Sequence, residues 1–289
     1  MLAVLKKELN TYFRNPLGYV FIGMMMLIMG FYYSYYTLYY QKADYYYVLN
    51  ACTSLILFVI PVLTMRLMSE ERKNKTDQLL LTSPISTFDM VLGKYLAAVV
   101  LYLIVIVVSF LQPLTTIIVF KGKMATEMLI GGYIAFLTMG IAFIAMGMFI
   151  STITENQLVA AVITIALFSV LMLTEGLYAM ISTSRYVSLG CLLAILAGVL
   201  VLIYNSIKDI MTTAIVGVAG LLGILVTFFI VPSAFDSLIN NILKSLSIFT
   251  RYSGMFSGKF AFADIIFFLS LAAFFVWMTY QTVERRRWN

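Results

Sequence analysis

From Leu17 to Tyr39 the chain runs for 23 residues without a charged side chain. An α-helix of that length crosses the roughly 30 Å hydrocarbon core of a bilayer. Comparable apolar runs recur near 48–68, 93–120, 129–150, 157–177, 187–204, 211–231 and 262–281. In lipid each backbone segment must satisfy its own hydrogen bonds, so runs of this kind are helices. The chain is therefore read as an all-α polytopic integral membrane protein with about eight spans. A six-span alternative stays open, because the two short runs between 178 and 231 can also form one long excursion. Composition agrees with the class: 62% of residues are hydrophobic and 11% charged, against about a quarter charged in a soluble domain. The first run begins late and lacks a small-residue cleavage site, so it reads as a true span and not a signal peptide.

Either span count places both termini on one side. Twelve of the nineteen Lys and Arg residues fall on that side, so the positive-inside rule puts the termini in the cytoplasm. The net charge of +6 has the same origin and gives no reason to expect nucleic acid. Before the first span, residues 1–15 form an interfacial amphipathic helix, with Leu2, Leu5, Leu9 and Tyr12 on one face and Lys6, Lys7, Asn10 and Arg14 elsewhere. Asn15-Pro16 ends it.

The most polar stretch is 69–89, where Glu70, Glu71, Arg72, Lys73, Lys75 and Asp77 fall within eight positions. A bilayer excludes such a cluster, so it lies in water between the second and third spans. Pro84 stops a short helical piece that carries Leu79-Leu80-Leu81, and Ser86 with Asp89 forms an S-x-x-D cap for the next helix. On the other side, nine tyrosines between Tyr32 and Tyr47 form an interfacial aromatic belt. A sharper alternative makes Tyr32, Tyr35 and Tyr36 a substrate portal. Residues 232–261 form a second amphipathic segment, on the outer face. Pro61 and Pro113 mark kinks.

Catalytic chemistry is sparse in the sequence. The chain has no histidine, and Cys52 and Cys191 stand alone in apolar runs, without metal-ligand or disulfide spacing. Hardly any ionisable residue lies deep in a span, where proton or ion relays would need one. Glu155 sits at an inner boundary, Glu175 near an outer one, and Gln112 is the deepest polar side chain, suited to an interhelical hydrogen bond. Gly254-Met-Phe-Ser-Gly-Lys259 lacks the spacing and the Ser/Thr of a phosphate loop. No catalytic residue, metal ligand or cofactor is assigned, and energy for any uphill transport must come from another chain.

The segment Lys7-Glu-Leu-Asn-Thr-Tyr-Phe-Arg-Asn-Pro-Leu-Gly-Tyr-Val-Phe21 resembles the start of type-2 ABC transporter permeases. It is most similar to the gliding-motility branch and its nitrous-oxide-reductase-maturation relatives. Residues Glu70 to Ser86, followed by Val91-Leu-Gly-Lys94, look like that family's cytosolic coupling segment, and Asp264 to Ser270 with Glu284 to Trp288 also fit. The resemblance implies a single permease domain over 1–289 with an elbow helix at 1–15, a coupling helix in 69–89 and short outer helices before the last span. It implies cytosolic ABC ATPase partners, a second permease copy or paralogue, membrane lipids, and a bacterial plasma membrane. Glu70, Glu71, Arg72, Thr76, Asp77 and Leu79 become the candidates for contact with the ATPase. The function so implied is the membrane subunit of an ATP-driven exporter, with a non-transporting scaffold for an ATPase or assembly complex as the alternative.

Overall fold

The computed structural model describes residues 1–76, 86–119, 126–180, 247–256 and 262–288, with short pieces between 186 and 228. It is all-helical, with no strand among the described residues. The chain divides into two compact units, one made of Met1–Ser169 with Arg251–Asn289 and the other of Val170–Thr250. The first carries the features relevant to function.

Helix α1 spans Leu2–Arg14 and ends where Asn15, the residue before proline, turns extended at ψ 152°. Pro16 then takes the first position of α2, Pro16–Tyr33, where its missing N–H leaves no donor unsatisfied. The junction is tight, since a Cβ on Gly18 would lie 2.6 Å from the Tyr12 carbonyl oxygen. The last turns of this span, Ser34–Tyr39, widen into a π-helix. Helix α3, Tyr46–Thr64, contains Pro61, and a turn at 65–68 leads into the five-residue helix α4, Ser69–Lys73.

Helix α5, Thr87–Ser109, starts at the cap expected from the sequence, with the Asp89 N–H donating to Ser86 Oγ over 3.1 Å. It breaks at Phe110 and resumes as α6, Leu111–Val119. Pro113 lies in the first turn of α6 and has no N–H for the Ser109 carbonyl, which accounts for the break. Then follow α7, Thr126–Ile153, α8, Gln157–Met180, α9, Ile248–Phe256, and α10, Phe262–Trp288.

Six helical segments among the described residues are long and apolar enough to cross a membrane. They match six of the expected spans; the runs at 187–204 and 211–231 fall largely outside the described residues. The α3, α5 and α7 segments are mostly buried, whereas those of α2, α8 and α10 are mostly exposed. Three helices thus form a core and three surround it. Core packing is close: Gly140 of α7 faces the buried Tyr102 of α5, and a Cβ there would overlap the ring. The Tyr102 hydroxyl donates to the Phe136 carbonyl over 2.7 Å, which fixes the ring in place.

Helix α1 also presents a face to the protein. Val4, Glu8 and Tyr12 point inward, while Leu2 is exposed and Leu5 and Leu9 are half-buried. Apolar periodicity does not register the inward Glu8, whose buried partner lies far along the chain.

Candidate functional site

Five segments meet at one end of the first unit: α1, α4, the start of α5, the end of α7 and the end of α10. At their centre is Lys94, whose side chain is 2% exposed. A lysine ammonium has three donors, and each has a partner here. Lys94 Nζ lies 3.1 Å from Glu8 Oε1 on α1, 2.8 Å from Glu71 Oε1 on α4 and 3.2 Å from the Leu67 carbonyl. That carbonyl is available because the helix has ended and the chain is turning. Lys7 supports the pair from outside, 3.8 Å from Glu8 and 3.6 Å from Glu71.

Helix α4 is therefore held from several sides. It has no side-chain cap of its own; instead Ser151 Oγ of α7 accepts from the N–H groups of Met68 and Ser69 and donates to the Met65 carbonyl. Arg66 grips Glu70 with two N–H donors, at 2.8 and 2.5 Å. Arg72 pairs with Glu155 at 2.8 Å and donates to the Ile153 carbonyl at 2.6 Å. From α10, Arg286 donates to the Thr152 carbonyl at 2.5 Å. Two arginines thus occupy the negative end of the α7 dipole. Thr87 Oγ1 donates to Glu284, tying the start of α5 to α10, and the N-terminal ammonium lies 3.7 Å from Asp89.

Helix α4 closes with a two-bond reverse turn: Thr76 N–H donates to the Glu71 carbonyl and Lys75 N–H to that of Arg72. Lys75 takes the left-handed position at φ 56° that glycine usually fills. Between α1 and α4 lies a cleft of about 300 Å³. It is lined by Lys7, Arg66 and Lys94 and by Glu8, Glu70 and Glu71, so its charges balance. Burial, then the Glu8 carboxylate, raise the Tyr12 phenol far above its ordinary pKa, with Glu70 adding and Arg66 opposing.

The sequence-derived candidates therefore separate. Glu70, Glu71 and Arg72 are brought together, but each has a partner within the protein. Lys73, Asn74, Lys75 and Thr76 form the exposed part of the segment. Asp77 and Leu79, with the turn at Pro84, lie outside the described residues. Glu8, Lys94, Ser151 and Arg286 were missed as site residues. A lysine embedded in the apolar run that begins at Val91 was the available signal, because a charge in such a run calls for a partner.

At the opposite end the tyrosines form a continuous aromatic layer. Tyr32 stacks on Tyr36 and Tyr36 on Tyr47, while Tyr35 meets Tyr36 and Tyr40 edge to face. Tyr32 and Tyr36 are half-buried and Tyr35 is exposed. Lys42 Nζ sits 3.9 Å over the Tyr47 ring. Below them Tyr45 donates to Gln112 over 2.6 Å, the interhelical bond expected of that glutamine. Nearby, Arg251 of α9 pairs with Asp264 of α10 at 2.9 Å.

No curated protein matches the chain. The ABC-2 type transporter family matches residues 1–188, a region that holds α1, α4, Lys94 and five of the six candidate spans. It is matched at the level of the broad family and not of a branch. Permeases of this family are non-catalytic membrane components that work with ABC ATPase subunits. With well over half its length matched, the chain belongs to the ABC-2 type transporter family, as the membrane-spanning permease component of an ABC transporter.

Proposed function

We propose that this permease serves an ATP-driven exporter and that residues 69–89 receive the motion of cytosolic ATPase subunits. One observation carries the reading. Helix α4 is locked to α1, α5 and α7 through Glu71–Lys94, Lys94–Glu8 and Ser151, while Lys73 to Thr76 remain exposed. A push on the exposed tip is therefore delivered to three helices at once. An ordinary loop would absorb it. ATP binding would bias the helices between two arrangements as a rigid-body change.

The charge bias supports a cytoplasmic location for this end and both termini, and the resemblance supports a bacterial plasma membrane. The resemblance of 7–21 and 70–94 supports the gliding-motility or nitrous-oxide-reductase-maturation branch, export as the direction, one permease domain and pairing with a second permease. Tyr32, Tyr35 and Tyr36 remain candidates for a portal on the opposite side.

The geometry selects the residues for the decisive experiment. Reversing Glu71 would put a second cation against Lys94 and disturb the fold, so the exposed lysines are the ones to change. With Lys73→Glu and Lys75→Glu together, membrane abundance should stay normal, because exposed charges add little stability. Co-purification of the ATPase subunits should fall sharply, since charge reversal at an interface acts on partner binding. Unchanged co-purification would refute the docking role.

A further inference from the structure

One stripe of α10 changes chemistry along its length. Leu269, Ala273, Trp277, Gln281 and Arg285 follow at intervals of four, each step turning about 40° further, so neighbours in the series are adjacent while the series winds round the helix. Beside the first three runs a groove of about 440 Å³, walled on its other side by Phe88 and Tyr95 of α5. Its lining is almost wholly apolar, and Ala272 and Ala273 leave it unfilled. A second cavity of about 240 Å³ shares Trp277 and is lined by Gln281, Thr282 and Arg285. The indole is 52% exposed at the meeting of the two.

Depth and charge identify an occupant. Leu269 and Trp277 are about 12 Å apart along the helix axis, close to the roughly 15 Å of hydrocarbon in one leaflet. The groove therefore has the length of one leaflet, and Trp277 closes it at one end, as suits an indole at the interface. Helical side chains lean toward the N-terminus, which carries the Arg285 head back toward the indole. Among the described residues Arg285 has neither a carboxylate nor a hydrogen-bond partner. An apolar trough one leaflet deep, with an unpaired guanidinium at its mouth, matches an acyl chain joined to a phosphate.

We propose that the groove and the cavity together form a binding site for an anionic phospholipid of the leaflet at the C-terminal end of α10. The acyl chain lies against Ala272 and Ala273, the ester region meets Trp277, and Arg285 and Gln281 receive the headgroup phosphate.

The chain has two tryptophans, so Trp288→Phe makes Trp277 the sole tryptophan, excited selectively at the red edge where tyrosine does not absorb. The full-length protein is reconstituted in phosphatidylcholine bilayers that contain either brominated phosphatidylglycerol or brominated phosphatidylcholine as quencher. Brominated phosphatidylglycerol should quench Trp277 at about fivefold lower mole fraction, the factor one basic side chain contributes near an anionic headgroup. Arg285→Gln, a change at an exposed position, should remove the difference. Equal quenching by the two lipids would reduce the site to ordinary annular lipid and overturn the proposal. So would a preference that survives Arg285→Gln. Weak quenching by both would mean that protein covers the groove, a second copy included, and would also overturn it.

Discussion

Lys94 reaches Glu8, Glu71 and the Leu67 carbonyl from the first turns of α5, and water touches it hardly at all. Removing one member of such a buried cluster is costly because the charges left behind have lost their partner, typically about 3–5 kcal/mol. Lys94→Met would leave Glu8 and Glu71 facing each other at 12% and 18% exposure, with only the exposed Lys7 in support. We expect that variant to aggregate at clearly lower temperature in detergent, followed by fluorescence-detected size exclusion. Adding Glu8→Gln and Glu71→Gln should recover much of the loss, since neutral amides can share the space. If the triple variant is no better than Lys94→Met, the ion cluster is not what holds this end together. The sequence displayed each member of the cluster but not the cluster itself. Glu8 and Lys94 are separated by 86 positions, and no local period links residues so far apart.

The helices were far more legible, because their limits are written in short-range chemistry. Pro16 at the start of α2, Ser86 capping α5 and Pro113 at the break before α6 all act within a few residues of themselves. The inward turn of Glu8 on α1 was not legible, because it answers to Lys94 across the fold. The close approach of α5 and α7 is likewise a pairing between distant elements, and it gives a test. Gly140→Ala would push a methyl group into the Tyr102 ring, which its bond to the Phe136 carbonyl keeps from swinging aside. Overpacking of this kind costs about 1–3 kcal/mol. Thermal unfolding followed by tyrosine and tryptophan fluorescence should show the loss, whereas Gly23→Ala, with nothing within 4 Å of the added carbon, should not. Equal behaviour of the two variants would show that α5 and α7 do not approach as described.

Among the described residues of the first unit, the ends differ in kind: most of the ion pairs, the N-terminus and the end of α10 gather at one, the tyrosines at the other. In a chain freed of Cys52 and Cys191, Lys6→Cys and Arg285→Cys should react with an impermeant thiol reagent from the same side of sealed vesicles. Tyr39→Cys should react from the other. Joint labelling of Lys6→Cys and Tyr39→Cys from one side would contradict the end-to-end arrangement. The junction around Lys94 also bears on how such a chain is made. Synthesis delivers Glu8 first, then Glu71, and only afterwards the lysine on which both converge. Until α5 emerges, α1 and α4 hold carboxylates whose buried counter-charge does not yet exist. A chain stalled before residue 94 would thus lack the charge on which α1 and α4 converge. Completion of the third span supplies the missing charge and closes that window.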